Sequence, residues 1–338
     1  MNTKQNPLKR ILNTRGMGGA LTAFAGLIVI YIAFGIINPT VFSGQNIMNL
    51  LRSMSKYLLI GIGQSYILIT GNIDLSIGSV AGMSAMISAT LMTMGVHPIA
   101  AILATLACCL VIGVLNGLLV GKWKLPPFIA TLGTMFVARG VAYIVNGNRN
   151  TDAIASGIGK EAADAFGNFF YYGSTFGIYN TFWIAMALFV VFFFLLSGTR
   201  TGRHIYAIGS NVDAAKLSGV SVLATTTKAY LVSAFCSCVV GLILCGQAGM
   251  GNMEAGNMYE MYGVAAGVIG GVSPLGGTGI LLGTLAGAAV WQTLENGLNM
   301  IGAQVGIQRL VIGIIVVVAV FLDVVVRNGT RKKPAKAG

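Results

Sequence analysis

The sequence predicts an all-α fold: a polytopic integral membrane protein of about ten transmembrane helices, some of them broken or short. Three observations carry this expectation. Of the 338 residues, 55% are hydrophobic and only 9% are charged, whereas a soluble domain carries about a quarter charged residues. Mean hydropathy is +0.81. The 47 glycines follow no Gly-X-Y period, which excludes collagen and suits helices that pack closely through small residues.

A spanning helix needs about 20 apolar residues, fewer where it is broken or shielded by protein. Residues 1–19 form a basic, polar tail, and the first apolar run, 20–37, is followed by no clear A-x-A site, so it reads as a retained anchor. The second run, 57–70, is short and enters the polar break GNIDLSIGS at 71–79; the third continues to about residue 94. Residues 98–120 and 128–145 supply the fourth and fifth spans. A polar stretch, 146–180, leads to the sixth at 181–196, and the basic loop 199–228 leads to the seventh at 229–247. The eighth, 263–272, is too short to cross unaided and is followed by the turn-rich SPLGGTG. Runs at 280–298 and 310–326 complete the transmembrane region, 20–326, before a basic tail at 327–338.

Ten crossings put both termini on one side, and the basic residues test that arrangement. Fifteen of the 21 Lys and Arg fall in segments assigned to the inside, five fall outside, and Arg139 lies within a span. This is the positive-inside pattern. It predicts cytoplasmic termini, a cytoplasmic 199–228 and a periplasmic 146–180, and it accounts for the net charge of +12 without a nucleic-acid partner.

The five cysteines lie in apolar runs, and His97 and His204 sit in separate loops, so no metal or redox site is read from them. GLLVGKWK at 117–124 lacks the spacing of a phosphate loop. No catalytic constellation emerges, so any ATP that powers transport is hydrolysed on another polypeptide.

Asp74, Arg139 and Glu295 are the ionisable residues nearest membrane depth and must face protein or water. They read either as translocation-pathway groups or as helix-helix glue. Ser76, Asn116 and Asn299 join them as pathway candidates, although amides at this depth commonly bond between helices, as for Asn296. Glu295 and Asn299, four apart, share a helix face. The breaks at 71–79 and 270–283 each follow a short span, which suggests two related halves around a pathway or simple surface turns.

Within 200–222, Ser210 or Asn211 suits a helix cap, Asp213 the first turn and Gly219 the stop, giving about two helical turns with Ala214, Leu217 and Val220 as a small apolar face.

At these residues the chain resembles the permease subunits of the bacterial ABC sugar importers of the ribose/galactose/arabinose/xylose type. YAIGSNVDAAKLSGVSV, GNIDLSIGS, PPFIATLGTMFVARGVAYI, GVIGGVSPLGGTGILLGTLAGA and ENGLNMIG match that family's blocks in order over nearly the whole chain. Ser210 and Asn72 stand where the family pattern has Gly. The resemblance implies an inner-membrane permease, not itself an enzyme, that moves a monosaccharide by alternating access. It also implies a second permease copy (homodimer or heterodimer), a periplasmic or lipid-anchored sugar-binding protein, and a cytoplasmic ABC ATPase that holds the ATP and Mg; this chain carries no cofactor. Gly209, Asn211, Asp213, Ala214, Ala215, Lys216, Leu217, Ser218 and Gly219 then form the element that couples to the ATPase. Nucleoside or amino-acid ABC permeases and ion-coupled secondary carriers, the latter using Asp74 or Glu295, are the competing readings.

Overall fold

The computed structural model describes residues 17–311, 313–315, 317–318 and 321. Much of the expected last span at 310–326 and all of the tail at 327–338 lie outside the described residues, as does most of the N-terminal tail. The described chain is helical apart from loops and a two-residue hairpin, β1 (Ser174–Thr175) with β2 (Ile178–Tyr179).

In chain order the helices are α1 (Met17–Ile37), α2 (Gly44–Ile69), α3 (Ile77–Thr93), α4 (Pro98–Gly121) and α5 (Pro127–Ile144). The short α6 (Ala155–Ile158) and α7 (Lys160–Gly167) follow, then α8 (Asn180–Gly198), α9 (Arg200–Ser210), α10 (Val212–Leu217), α11 (Val222–Ala248), α12 (Tyr259–Ile269) and α13 (Leu281–Met300). Helical structure resumes at Val305.

Hydropathy and burial sort these helices into two layers. Among the described residues α1, α4, α5, α8 and α11 are long and apolar enough to cross a membrane, and all but α11 are largely exposed along their length. Their outward side chains, such as Ile36, Leu103, Phe136 and Phe194, suit lipid. By contrast, α2 is buried without interruption from Met54 to Ile69 and α3 over nearly its whole length. These inner helices tolerate Ser and Gly because they face protein that supplies partners for the hydroxyls, and glycines bring the backbones together. A Cβ at Gly241 would overlap the Ala81 carbonyl, and one at Gly287 that of Ala266. Across the core, the hydroxyls of Ser65 and Thr284 bond at 2.7 Å, and Asn46 and Asn296 exchange amide hydrogen bonds of 3.1 and 2.9 Å.

The start of α2 corrects the expected span at 57–70. Ser43 caps the helix by accepting from the Asn46 amide at 3.3 Å, so the polar stretch before Lys56 is already helical.

Two units of the same build run in opposite directions through the centre. In the first, α2 ends at Ile69, a non-helical turn at 70–76 leads back into the bundle, and the shorter α3 begins beside the middle of α11, with Asp74 on Ser233. In the second, α11 ends at Ala248, the segment 249–258 turns back alongside α3, and the short α12 begins near Gly78. The expected correspondence of 71–79 with 270–283 is therefore not the one the structure builds; 70–76 corresponds to 249–258. Broken helices of this kind persist at depth only where protein satisfies their backbone.

Candidate functional site

Asp74 is 2% exposed. Its Oδ1 accepts from the Ser76 amide (2.9 Å) and hydroxyl (2.6 Å), and its Oδ2 accepts from the Ser233 hydroxyl at 2.6 Å. Asn116 donates to the Ser76 hydroxyl at 2.9 Å and accepts from Thr134 at 2.6 Å. One polar chain thus ties the start of α3 to α4, α5 and α11. A carboxylate just before a helix start also complements the helix dipole. The structure places Asp74, Ser76 and Asn116 in this closed network and none of them on the cavity described next.

Arg139 on α5 donates through Nη1 to the carbonyls of Met253 (2.8 Å) and Ala255 (2.9 Å). It supplies donors for carbonyls of the returning segment 249–258 that no helix ladder can satisfy. Tyr143 bonds Glu254, Asn150 accepts from the Met253 amide at 3.0 Å, and Thr151 accepts from the Gly251 amide at 2.8 Å. Sequence reading missed this segment, because GMGNMEAGN carries no apolar run and reads as a surface loop.

Just beyond it lies a cavity of about 650 Å³, lined by Asn257, Met258, Met261, Tyr262, Trp291, Glu295, Val305, Gln308 and Arg309 among others. Its size falls in the range of small-molecule sites, about 300–1,000 Å³. Tyr262 and Trp291 sit with ring centroids 5.1 Å apart, and Tyr57 meets Tyr262 edge-on at 5.5 Å. The Tyr57 hydroxyl donates to Glu295 Oε2 at 2.7 Å, fixing one carboxylate oxygen. Gln308 donates to Asn299 Oδ1 at 2.8 Å and to the Ala303 carbonyl at 2.7 Å, so Asn299 orients a lining amide. Of the six pathway candidates, Glu295 lines the cavity and Asn299 stands behind it. Apolar ring faces with a carboxylate, a guanidinium and amides can hold a small polyhydroxylated or zwitterionic solute.

The expected helix in 200–222 is α10, and its boundaries follow from its caps. Asn211 accepts from the amides of Asp213 (3.0 Å) and Ala214 (2.9 Å), so it, and not Ser210, is the cap. At the other end Val220 N–H reaches the Ala215 carbonyl (3.0 Å) and Gly219 N–H that of Lys216 (2.9 Å). This paired closure needs the left-handed residue that Gly219 supplies at φ +80. Ala215 is buried, whereas Ala214, Lys216, Ser218 and above all Leu217, 91% exposed, point away from the bundle.

The preceding α9 was not anticipated. Its signal is amphipathic spacing: Gly202, Ile205 and Ile208 are buried while Arg200 and Arg203 face out. Its Tyr206 hydroxyl donates to the Gly279 carbonyl at 2.6 Å, and burial pushes that phenol up to about 12, which keeps it a donor. Gly209 lies against the Ile69 carbonyl so closely that a Cβ there would overlap it.

The family described as branched-chain amino acid transport system / permease component matches residues 46–320. The chain is 36% identical over 320 residues to the Ribose import permease protein RbsC of Bacillus subtilis (strain 168), covering 94% of this chain and 97% of that protein. It is 34% identical to the Galactose/methyl galactoside import permease protein MglC of Haemophilus influenzae, covering 87% of this chain and 92% of that protein. Identity to the D-allose transport system permease protein AlsC of Escherichia coli (strain K12) is 32%, over 88% of this chain and 89% of that protein. No solved structure matches the chain significantly. With its multi-pass helical bundle and a match spanning most of its length, this chain belongs to the branched-chain amino acid transport system / permease component family.

Proposed function

We propose that this chain is the membrane-spanning subunit of an ATP-driven importer that moves a monosaccharide across the bacterial inner membrane by alternating access. The observation that carries the reading is the cavity beside α12 and α13, where Tyr262 and Trp291 offer ring faces and Glu295, Gln308, Asn257 and Arg309 offer hydrogen-bonding groups. Sugars are held by this combination of an apolar face and a few placed polar groups. The ribose, galactose and allose permeases that resemble the chain over most of its length support a sugar as cargo.

In this reading the termini and the α9–α10 elbow are cytoplasmic and 146–180 is periplasmic. A second permease copy closes the open side of the cavity. A periplasmic or lipid-anchored binding protein selects and delivers the sugar, so the cavity itself needs little affinity. ATP and Mg act on a separate ABC ATPase, in a groove of which α10 is seated through Leu217 and the other exposed residues Asn211, Asp213, Ala214, Lys216, Ser218 and Gly219, while Gly209 and the buried Ala215 hold the elbow to the bundle. Capped at both ends, α10 moves as a unit.

Uptake in proteoliposomes containing the chain, its ATPase and its binding protein tests the proposal, with D-ribose, D-galactose and D-allose as probes and L-leucine as control, since Glu295 and Arg309 would also match a zwitterion. ATP-dependent uptake of a sugar supports it. Uptake of leucine alone, or sugar uptake that persists without ATP and collapses with an ionophore, would refute it.

A further inference from the structure

The elbow is joined to the cavity by a short backbone contact. The turn between α12 and α13 carries Gly276, Gly277 and Gly279, all at positive φ. Gly277 donates its amide to the Ile69 carbonyl at 2.8 Å, where α2 ends. Gly209, at the end of α9, lies beside this hydrogen bond so closely that a Cβ there would overlap both the Ile69 carbonyl and the Gly277 amide, and the Gly209 carbonyl lies against Gly276. Ser210 packs on Gly277. One turn back along α9, the Tyr206 hydroxyl holds the far side of the turn through the Gly279 carbonyl at 2.6 Å. The end of α9 therefore touches, backbone to backbone, the connector of the two helices that carry Tyr262, Trp291 and Glu295.

We propose that Tyr206 and the glycine contact at Gly209 form a strut that carries movement of α10 into the α12–α13 turn and so resets the cavity, which makes Tyr206 a positioning residue for translocation. This rests on the reading that α10 seats on the ATPase. Glycines at the contact leave no side chain to yield between elbow and turn, so a displacement of one moves the other. The phenol fixes the angle at which α9 meets the turn. Packed elements that shift as rigid bodies transmit small displacements in this way.

The test uses the assembled complex with Met261→Cys as a cavity reporter in a Cys108→Ser background, labelled with a water-soluble maleimide before and after trapping with ATP and vanadate. With Tyr206 intact, trapping changes the labelling rate. In Tyr206→Phe the change shrinks about fivefold, the scale of one hydrogen bond, and sugar transported per ATP hydrolysed falls with it, while the ATPase still co-purifies. Gly209→Ala has the same effect or a larger one. A full trapping response and normal uptake-to-hydrolysis ratio in both variants would overturn the strut. Leu217→Asp separates the premise from the inference: if it leaves ATPase association intact, the docking assignment of α10 fails, while Tyr206→Phe still decides the strut. Absence of any ATPase from the unsubstituted complex overturns both.

Discussion

The Asp74 carboxylate accepts the Ser233 hydroxyl at 2.6 Å and so joins the turn before α3 to the middle of α11. Among the described residues its hydrogen-bond partners are the Ser76 amide and hydroxyl and the Ser233 hydroxyl, all neutral. Asp74→Asn keeps an acceptor for Ser76 and costs about 1 kcal/mol of stability with uptake retained. Asp74→Leu orphans the Ser76 amide and the Ser233 hydroxyl, at about 1–3 kcal/mol each, and lowers the unfolding midpoint in detergent. If Asp74→Asn instead abolished uptake in a normally stable protein, the residue would be a coupling-ion site.

Arg139 holds the carbonyls of Met253 and Ala255. Hydrogen bonds from a charged donor contribute about 1.5–3 kcal/mol, so Arg139→Met should loosen 249–258 and displace Asn257 and Met258 from the cavity rim. Limited proteolysis and hydrogen exchange of that segment check this. Unchanged protection there would show that Tyr143, Asn150 and Thr151 suffice.

At the cavity, Glu295→Gln retains an oxygen for the Tyr57 hydroxyl but removes the charge. Uptake should fall about tenfold, equivalent to about 1.4 kcal/mol at the cargo step, while the unfolding midpoint stays put. Uptake at the parental rate would remove Glu295 from the pathway.

On α10 the two alanines should part company. Ala214 is exposed and Ala215 buried, so Ala214→Asp weakens ATPase co-purification without harming insertion, whereas Ala215→Asp also unseats α10 from the bundle. Gly219→Val adds strain of about 1–2 kcal/mol in the left-handed region and should act like Ala214→Asp. ATPase pull-down beside the yield of inserted protein distinguishes the outcomes.

The features legible in the sequence were those written in local chemistry. Ser210 or Asn211 at one end and Gly219 at the other bounded α10 because caps are single-residue signals, and the structure chose Asn211. The lipid-facing helices announced themselves by hydropathy. The first part of α2, GQNIMNLLRSMSK, was hidden because its polar residues find partners on other elements, as Asn46 does in Asn296 and Lys56 in Gln247 at 3.0 Å. The return of 249–258 into the bundle was illegible because it depends on Arg139, more than a hundred residues away. The cavity shared that fate, since the ring pair of Tyr262 and Trp291 forms only when α12 and α13 pack.

The most direct trial of the central claim is radiolabelled sugar accumulation in proteoliposomes assembled with and without the ATPase. A conduit driven through α10 accumulates sugar only when ATPase, ATP and binding protein are all present, and vanadate stops it. Accumulation against a gradient by this chain alone would contradict the account.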